Sequence, residues 1–216
     1  MKTGIFGGTF NPIHIAHLRI AEEIRDMFGL ARIIFVPAAT PPHKPLADNL
    51  SFECRFHMVK MATKSNQFFT VSDIEGKRQG KSYSIDTLHL FRELYPGDEL
   101  FFIMGGDSFA EFSSWKQYTA IFNCCNIVAI TRPGVEIASL REALPVDIAH
   151  DFCYYEAEKR LAHKSGYSVY YIAGTQLDIS STAIREMVKI GRSIKYLVPE
   201  TVEQYIHQQR IYLDAR

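Results

Sequence analysis

The first seventeen residues contain the pattern that most restricts how this chain can fold. A short apolar run, Lys2 to Phe6, leads directly into Gly-Gly-Thr-Phe-Asn-Pro-Ile-His-Ile-Ala-His at positions 7–17. Adjacent glycines allow the backbone to approach a bulky ligand closely. His14 and His17 stand three residues apart at the start of a predicted helix, so their side chains share one face. Free N–H groups at a helix N-terminus beside two imidazoles are suited to binding phosphate oxygens.

The same residues exclude two commoner kinds of phosphate-binding loop. The loop lacks the Gly-Lys-Ser/Thr of a P-loop, and its glycines do not follow the G-x-G-x-x-G spacing of dinucleotide-binding folds. The segment after the second predicted strand, residues 35–40, carries no carboxylate for a ribose. A strand, a turn and a helix with surface histidines is the alternative that this loop alone leaves open.

Charge and composition exclude several classes of partner. Twenty-four basic residues balance twenty-four acidic ones, so no overall field attracts the protein to nucleic acid or to an anionic membrane. An anion site must therefore be a local concentration of cations. The sequence has neither a long apolar segment nor a leader before the first strand, which predicts a cytoplasmic protein without membrane contact. Its four cysteines lack the spacing of a disulfide framework or a structural zinc site.

The order of apolar runs predicts an α/β fold. Strand-like runs lie at residues 2–6, 32–36, 68–74, 100–104, 126–131 and 168–172, and segments with helical periodicity separate several of them. This alternation predicts right-handed crossovers and a Rossmann-like, doubly wound parallel sheet of about six strands with helices on both faces. Ligands of such folds bind beyond the carboxyl ends of the strands, and the motifs of this chain follow strands.

Length predicts a single domain over residues 1–216. Residues 138–166 mix a helix-like stretch with polar residues, and we interpret them as an irregular insertion before the last strand. A helical segment is predicted from about residue 180 to the C-terminus.

A second candidate for phosphate binding is Ile-Ser-Ser-Thr-Ala-Ile-Arg at positions 179–185. The serines predict an N-cap, and Arg185 follows Thr182 by three residues on the same helix face. Hydroxyl groups, a helix N-terminus and a guanidinium together suit a polyphosphate. A plain cap with a surface arginine is the alternative.

Two loops after other strands carry further cations. Pro-Pro precedes His43 and Lys44 and holds the loop extended, so the ammonium group has little freedom left to lose on binding a phosphate. Arg132 precedes Pro-Gly after the fifth predicted strand. A solvated loop lysine is the alternative for Lys44.

Three more residues are candidates for binding the rest of a nucleotide. Ser84 is a predicted cap of a helix whose first turn is suited to a carboxylate, although a helix start without a ligand explains the spacing equally well. Asp107 follows Gly-Gly and is placed either to accept from ribose hydroxyls or to cap the next helix. Trp115 is the single tryptophan; tryptophans usually lie in the core, and the polar neighbours on both sides leave an exposed ring that stacks on a flat ligand as the other interpretation.

Together these motifs resemble the nicotinate-nucleotide adenylyltransferase family of the nucleotidyltransferase superfamily. The histidine loop and Ile-Ser-Ser-Thr-x-Ile-Arg are typical of the superfamily, whereas Pro-Pro-His-Lys, Ser-Tyr-Ser-x-x-Thr-Leu and the tryptophan are typical of its pyridine-nucleotide branch. Ser51-x-x-x-Arg55-x-x-Met58 and Leu-Val-Pro at 197–199 also match. The sequence departs from the family at Asn11, where aspartate is usual, and at Ala16, where glycine is usual.

The resemblance implies transfer of an adenylyl group from ATP to nicotinate mononucleotide, which gives nicotinate adenine dinucleotide and pyrophosphate in NAD biosynthesis. The residues that it implies for catalysis are His14, His17, Lys44 and Arg185. Those that it implies for binding ATP are Gly7, Gly8, Thr9, Phe10, His14, His17, Asp107, Ile179, Ser181, Thr182 and Arg185. Those that it implies for binding the second substrate are His43, Lys44, Ser84, Thr87, Trp115 and Arg132.

The implied cofactor is Mg²⁺ carried by ATP, without metal ligands from the protein. The implied partners are the two nucleotides alone, with a monomer or a homodimer as the assembly. One alternative is adenylyl transfer to another phosphate, that of nicotinamide mononucleotide or phosphopantetheine. Another is a nucleotide-binding module without turnover. A hydrolase is disfavoured because the sequence shows no nucleophile–base pair and no acidic metal cluster.

Overall fold

The computed structural model describes residues 1–42, 50–131, 144, 146–175 and 177–213. Two compact units are present, and each is built from two separate stretches of chain. The first unit contains Met1–Gly7 and Tyr83–Gln176, and the second unit contains Gly8–Ser82 and Leu177–Arg216. The single domain expected from the length stays a prediction.

The described residues form eight strands instead of the six predicted. They are β1 (Lys2–Gly8), β2 (Arg32–Pro37), β3 (Phe69–Val71), β4 (Glu99–Gly105), β5 (Asn126–Thr131), β6 (Phe152–Tyr155), β7 (Arg160–His163) and β8 (Ser168–Ala173). Each of the six predicted strands is present with boundaries close to those expected. The mixed α/β class with a parallel sheet is therefore confirmed.

Among the described residues, α-helices separate consecutive strands from β1 to β5, and two more follow β8. They are α1 (Ile15–Phe28), α2 (Phe52–Thr63), α3 (Ser84–Leu94), α4 (Gly106–Ala110), α5 (Tyr118–Ile121), α6 (Ser181–Lys189) and α7 (Glu200–Gln208). Among the described residues, no helix combines the length and the apolar character needed to cross a membrane.

In the first unit, β1, β4, β5 and β8 lie side by side as parallel strands. Ile5 pairs with Phe102 in the register of β1 and β4, and Ile127 pairs with Val169 in that of β5 and β8. The strands are continuous apolar runs because a parallel strand is buried on both faces. Ile103 and Ile127, for example, are fully buried.

The two additional strands, β6 and β7, form an antiparallel hairpin that extends this sheet beyond β8. They occupy the segment that the sequence predicts as an irregular insertion. The hairpin escapes prediction because each strand has only four residues and the connecting turn lacks glycine or asparagine. Lys159 takes the left-handed conformation there, with φ of 47°, which few side chains adopt.

In the second unit, the parallel pair β2 and β3 packs with helices from both ends of the chain. α1 contacts β2, whereas α2 contacts β2, β3 and the C-terminal helix α7. α1 ends where Gly29 adopts the left-handed conformation, with φ of 61°. Ser51 caps α2 as its hydroxyl accepts from the Cys54 N–H at 3.2 Å. The candidate site begins in the loop that precedes α1.

Candidate active site

The loop that follows β1 is shaped by Phe10. Its backbone is left-handed, with φ of 48°, and its ring is buried against Gly8. A Cβ atom at Gly8 would lie 2.8 Å from Cζ of that ring, so the position requires glycine. The ring also contacts His17 edge-on, with centroids 5.1 Å apart. Phe10 therefore supports His17 from the core.

His14 and His17 form a stacked pair. Their ring centroids are 3.7 Å apart and their planes are inclined by 26°. The backbone N–H of His14 donates to Nδ1 of His17 at 3.2 Å. Since Nδ1 of His17 accepts this bond, a neutral His17 carries its proton on Nε2.

Both imidazoles are neutral at pH 7. Burial lowers the pKa of His14 from 6.5 to about 4. Burial also lowers the pKa of His17 well below 6.5, and the adjacent His14 lowers it further. At neutral pH the pair therefore offers N–H hydrogen-bond donors without carrying a charge.

The backbone at the start of α1 differs from the prediction of free N–H groups. The N–H of Ile15 donates to the Leu197 carbonyl at 2.9 Å, and the N–H of His17 donates to the His14 carbonyl at 3.0 Å. Two groups of the first turn are thus engaged within the protein. The side chains, more than the helix terminus, are left to bind an anion at this position.

Side chains at the start of α6 are hydrogen-bonded to Asn11 and Pro12, in the loop that leads to His14. The hydroxyl of Ser181 donates to the Pro12 carbonyl at 2.8 Å, and Nη1 of Arg185 donates to the Asn11 carbonyl at 2.9 Å. Nη2 of Arg185 is 3.4 Å from the hydroxyl of Thr182. The two sequence motifs predicted to bind phosphate are therefore in direct contact.

Ser180 is the cap that the sequence predicts for α6. Its hydroxyl accepts from the Ala183 N–H at 3.1 Å. Ile179 precedes the cap and donates its N–H to the Leu177 carbonyl. The cap therefore satisfies one of the backbone N–H groups in the first turn of the helix.

Asn11, Arg55 and Tyr212 form a buried polar cluster beneath the loop. The sequence assigned none of these three residues a role in binding or catalysis. The hydroxyl of Tyr212 donates to Oδ1 of Asn11 at 2.7 Å. The fully buried Arg55 donates to the Thr9 carbonyl at 2.8 Å and to the Ala39 carbonyl at 3.2 Å. The spacing Ser-x-x-x-Arg marked Arg55 as part of a motif. No local pattern marks Tyr212, because its partner lies at the other end of the chain.

The remaining described candidates belong to the first unit. A Cβ atom at Gly7 would lie 3.3 Å from the Phe102 ring. Asp107 is exposed in the first turn of α4, whose N-cap residue is Gly105. Ser84 is the first residue of α3 and not its cap, which is Tyr83.

Thr87 and Trp115 are less exposed than residues on an open binding surface. Thr87 is buried, and its hydroxyl is 3.3 Å from the Tyr83 carbonyl. Trp115 is half-buried, with its ring centroid 5.1 Å from that of Phe112 and 6.3 Å from that of Phe102. One part of the indole is therefore core, and the rest is accessible.

Three predicted residues, His43, Lys44 and Arg132, lie outside the described residues. The description covers 1–42, 50–131, 144, 146–175 and 177–213, and within it no three His, Cys, Asp or Glu side chains cluster as metal ligands do.

Comparison with known proteins gives a full-length match. The model of the cytidylyltransferase-like family matches residues 5–187. A protein of Geotalea uraniireducens named "Probable nicotinate-nucleotide adenylyltransferase" is 66% identical over 216 residues, which is 100% of both chains. A protein of Geobacter metallireducens with the same name is 62% identical, again over 100% of both chains.

Solved structures show the same fold at low sequence identity. The nicotinic acid mononucleotide adenylyltransferase of Plasmodium falciparum complexed with NaAD superposes with a TM-score of 0.74 at 20% identity and covers 98% of each chain. The same enzyme complexed with APC gives a TM-score of 0.72 and covers 98% of this chain and 96% of that chain.

Proposed function

Because this chain belongs to the nicotinate-nucleotide adenylyltransferase family, within the cytidylyltransferase-like proteins, we propose that it transfers the adenylyl group of ATP to nicotinate mononucleotide. The products are nicotinate adenine dinucleotide and pyrophosphate, and the reaction is a step of NAD biosynthesis. The observation that carries the site assignment is the pair of bonds from Ser181 and Arg185 to the carbonyls of Pro12 and Asn11, in the loop that leads to His14.

The reaction is a direct displacement at the α-phosphorus of ATP. A phosphate oxygen of the mononucleotide forms a bond to that phosphorus, and the bond from the α-phosphorus to the bridging oxygen breaks. Pyrophosphate leaves with the electron pair. The nucleophile is already anionic at neutral pH, so the step needs no general base. The barrier consists of repulsion between anions and of charge that accumulates on the leaving group.

His17 and Arg185 supply complementary stabilisation to the triphosphate. The neutral His17 donates from Nε2, because its Nδ1 already accepts from the His14 backbone. Arg185 supplies a guanidinium cation, and its bond to the Asn11 carbonyl orients that group. Ser181 and Thr182 add backbone N–H donors of the first turn of α6, and Thr182 adds its hydroxyl, because the hydroxyl of Ser181 already donates to the Pro12 carbonyl. Donors fixed before the reaction stabilise developing charge without reorganisation.

The acceptor nucleotide is assigned to the other candidates. Lys44 holds the attacking phosphate, and His43 and Arg132 contact the rest of the mononucleotide. Trp115 stacks its accessible part on the pyridine ring, and α3, which begins at Ser84 and contains Thr87, contributes its first turn to the carboxylate.

Mg²⁺ is proposed to enter with ATP as part of the substrate. Mg²⁺ prefers oxygen ligands, and the phosphates of ATP supply them. The ion would neutralise part of the triphosphate charge. The protein is proposed to act in the cytoplasm as a monomer or a homodimer.

A substrate panel tests the proposal. Purified protein is incubated with Mg-ATP and with nicotinate mononucleotide, nicotinamide mononucleotide or phosphopantetheine, or without an acceptor, and pyrophosphate is measured. We expect release to be fastest with nicotinate mononucleotide. Faster release with another acceptor would assign a different substrate, and binding of ATP without release under any condition would support a module without turnover.

A further inference from the structure

Two consecutive carbonyls, those of Asn11 and Pro12, hold the side chains at the start of α6. Pro12 accepts from Ser181 at 2.8 Å and Asn11 accepts from Arg185 at 2.9 Å. The orientation of the Asn11 peptide group therefore helps to set the position of the Arg185 guanidinium, together with the contact to Thr182. Whatever fixes Asn11 also acts on this cation.

Tyr212 contacts Asn11 from the C-terminal end of the chain. After α7 ends at Gln208, Arg210 and Tyr212 both take the left-handed conformation, with φ of 51° and 68°. Side chains other than glycine rarely adopt this region, and residues held there are often functional. The turn buries the Tyr212 ring, of which 6% is exposed, and its hydroxyl donates to Oδ1 of the equally buried Asn11 at 2.7 Å.

We propose that Tyr212 is a positioning residue for adenylyl transfer, which acts by locking Asn11 and through it Arg185. The inference rests on the proposed function, because Arg185 is there assigned to the triphosphate. The Tyr212 hydroxyl holds the Asn11 side chain, so the backbone carbonyl of the same residue keeps the direction that Arg185 requires. Breaking this buried hydrogen bond would leave two polar groups without a partner, so the bond restricts the Asn11 side chain to one orientation.

The acceptor at position 11 explains why an asparagine serves where the family usually has aspartate. An amide oxygen and a carboxylate oxygen both accept from a tyrosine hydroxyl. The bond to Tyr212 is therefore retained without placing a negative charge beside the phosphates.

The test compares Tyr212→Phe with the wild-type full-length protein in steady-state assays of nicotinate adenine dinucleotide formation. Removing the hydroxyl should lower kcat about tenfold, the factor that about 1.4 kcal/mol produces, with the KM for nicotinate mononucleotide unchanged. Tyr205→Phe is the matched control. It removes a half-buried tyrosine hydroxyl from the same C-terminal segment, bonded to Cys54 and not to Asn11.

The decisive arm places Tyr212→Phe in an Arg185→Ala background. If Tyr212 acts through Arg185, the second substitution lowers kcat no further. An equal factor in both backgrounds would show an independent or merely structural role and would overturn the inference. Asn11→Ala removes the same bond from its other end and should match Tyr212→Phe, and the double variant should be no worse than either.

The outcomes separate the inference from the proposed function. Wild-type protein that forms no dinucleotide overturns both. Active wild-type protein with an equally active Tyr212→Phe variant overturns the inference alone. A kcat loss shared by Tyr205→Phe also overturns it, because disturbance of the C-terminal segment would then explain the effect.

Discussion

Replacing His14 by glutamine tests whether His14 is neutral in the folded protein. A buried imidazole with a lowered pKa makes the free energy of unfolding depend on pH. Burial lowers the pKa of His14 from 6.5 to about 4. Between these values the unfolded chain, in which the imidazole is hydrated, binds a proton more readily than the folded chain. The stability of the wild-type protein therefore falls as the pH is lowered through 6.5 towards 4.

The size of this effect follows from the two pKa values. Linkage for one such group gives a loss of about 2 kcal/mol in the free energy of unfolding between pH 8 and pH 5. The loss reaches about 3 kcal/mol below pH 4, because one pKa unit corresponds to about 1.4 kcal/mol. Glutamine is polar but does not titrate, so His14→Gln should lack this part of the pH dependence. His17, whose pKa is also lowered, contributes in both proteins.

The assay is urea unfolding at pH 8 and pH 5. The quantity compared is the change in unfolding free energy between the two pH values, so any constant effect of the substitution cancels. His89→Gln, which removes an exposed imidazole, controls for the loss of a histidine. If His14→Gln and wild type lose the same stability, His14 is not a buried neutral imidazole and the reasoning fails.

Three further substitutions test separate parts of the site. His17→Ala should lower kcat by roughly 10²–10³ through loss of a transition-state donor, with an unchanged circular dichroism spectrum, and turnover near that of wild type would count against the site. Trp115→Ala should raise the KM for nicotinate mononucleotide roughly tenfold through loss of stacking, and an equal rise in the KM for ATP would refute the stacking role. Arg55→Met should lower the unfolding free energy by about 2–4 kcal/mol, because the Thr9 and Ala39 carbonyls lose a charged donor, and an unchanged urea midpoint would contradict this.

Local patterns predicted the parts of the fold that local interactions determine. The apolar run before Gly7 predicted β1, and the serines at 180–181 predicted the start of α6, because a cap depends on residues within one turn. The parallel sheet followed from the alternation of strands and helices. The hairpin of β6 and β7 was missed because its strands are short and its turn relies on Lys159 in an unusual conformation.

The sequence could not predict the contacts that join distant parts of the chain. The N–H of Ile15 was expected to be free for phosphate, but the Leu197 carbonyl occupies it. Tyr212 carries no local signal, since only the folded chain brings it to Asn11. The sequence predicted both histidines as phosphate-binding side chains but gave no charge state for them. Burial lowers the pKa of both imidazoles and makes them neutral, and the burial of a side chain cannot be predicted from a local sequence motif.

The histidine pair and Arg185 differ in charge: the imidazoles are neutral at pH 7, whereas the guanidinium is a cation. Two unit charges about 4 Å apart repel by about 4 kcal/mol at an effective dielectric constant of about 20, and the ring centroids of His14 and His17 are 3.7 Å apart. Double protonation of the empty pair is thus strongly disfavoured. In the proposed complex, the bound triphosphate supplies the negative charge that offsets this repulsion, so that the imidazoles gain positive charge at neutral pH only in its presence. Arg185 is the cation proposed to attract the nucleotide first, and its bond to Asn11 makes the orientation of the guanidinium depend on the loop that also bears the histidines.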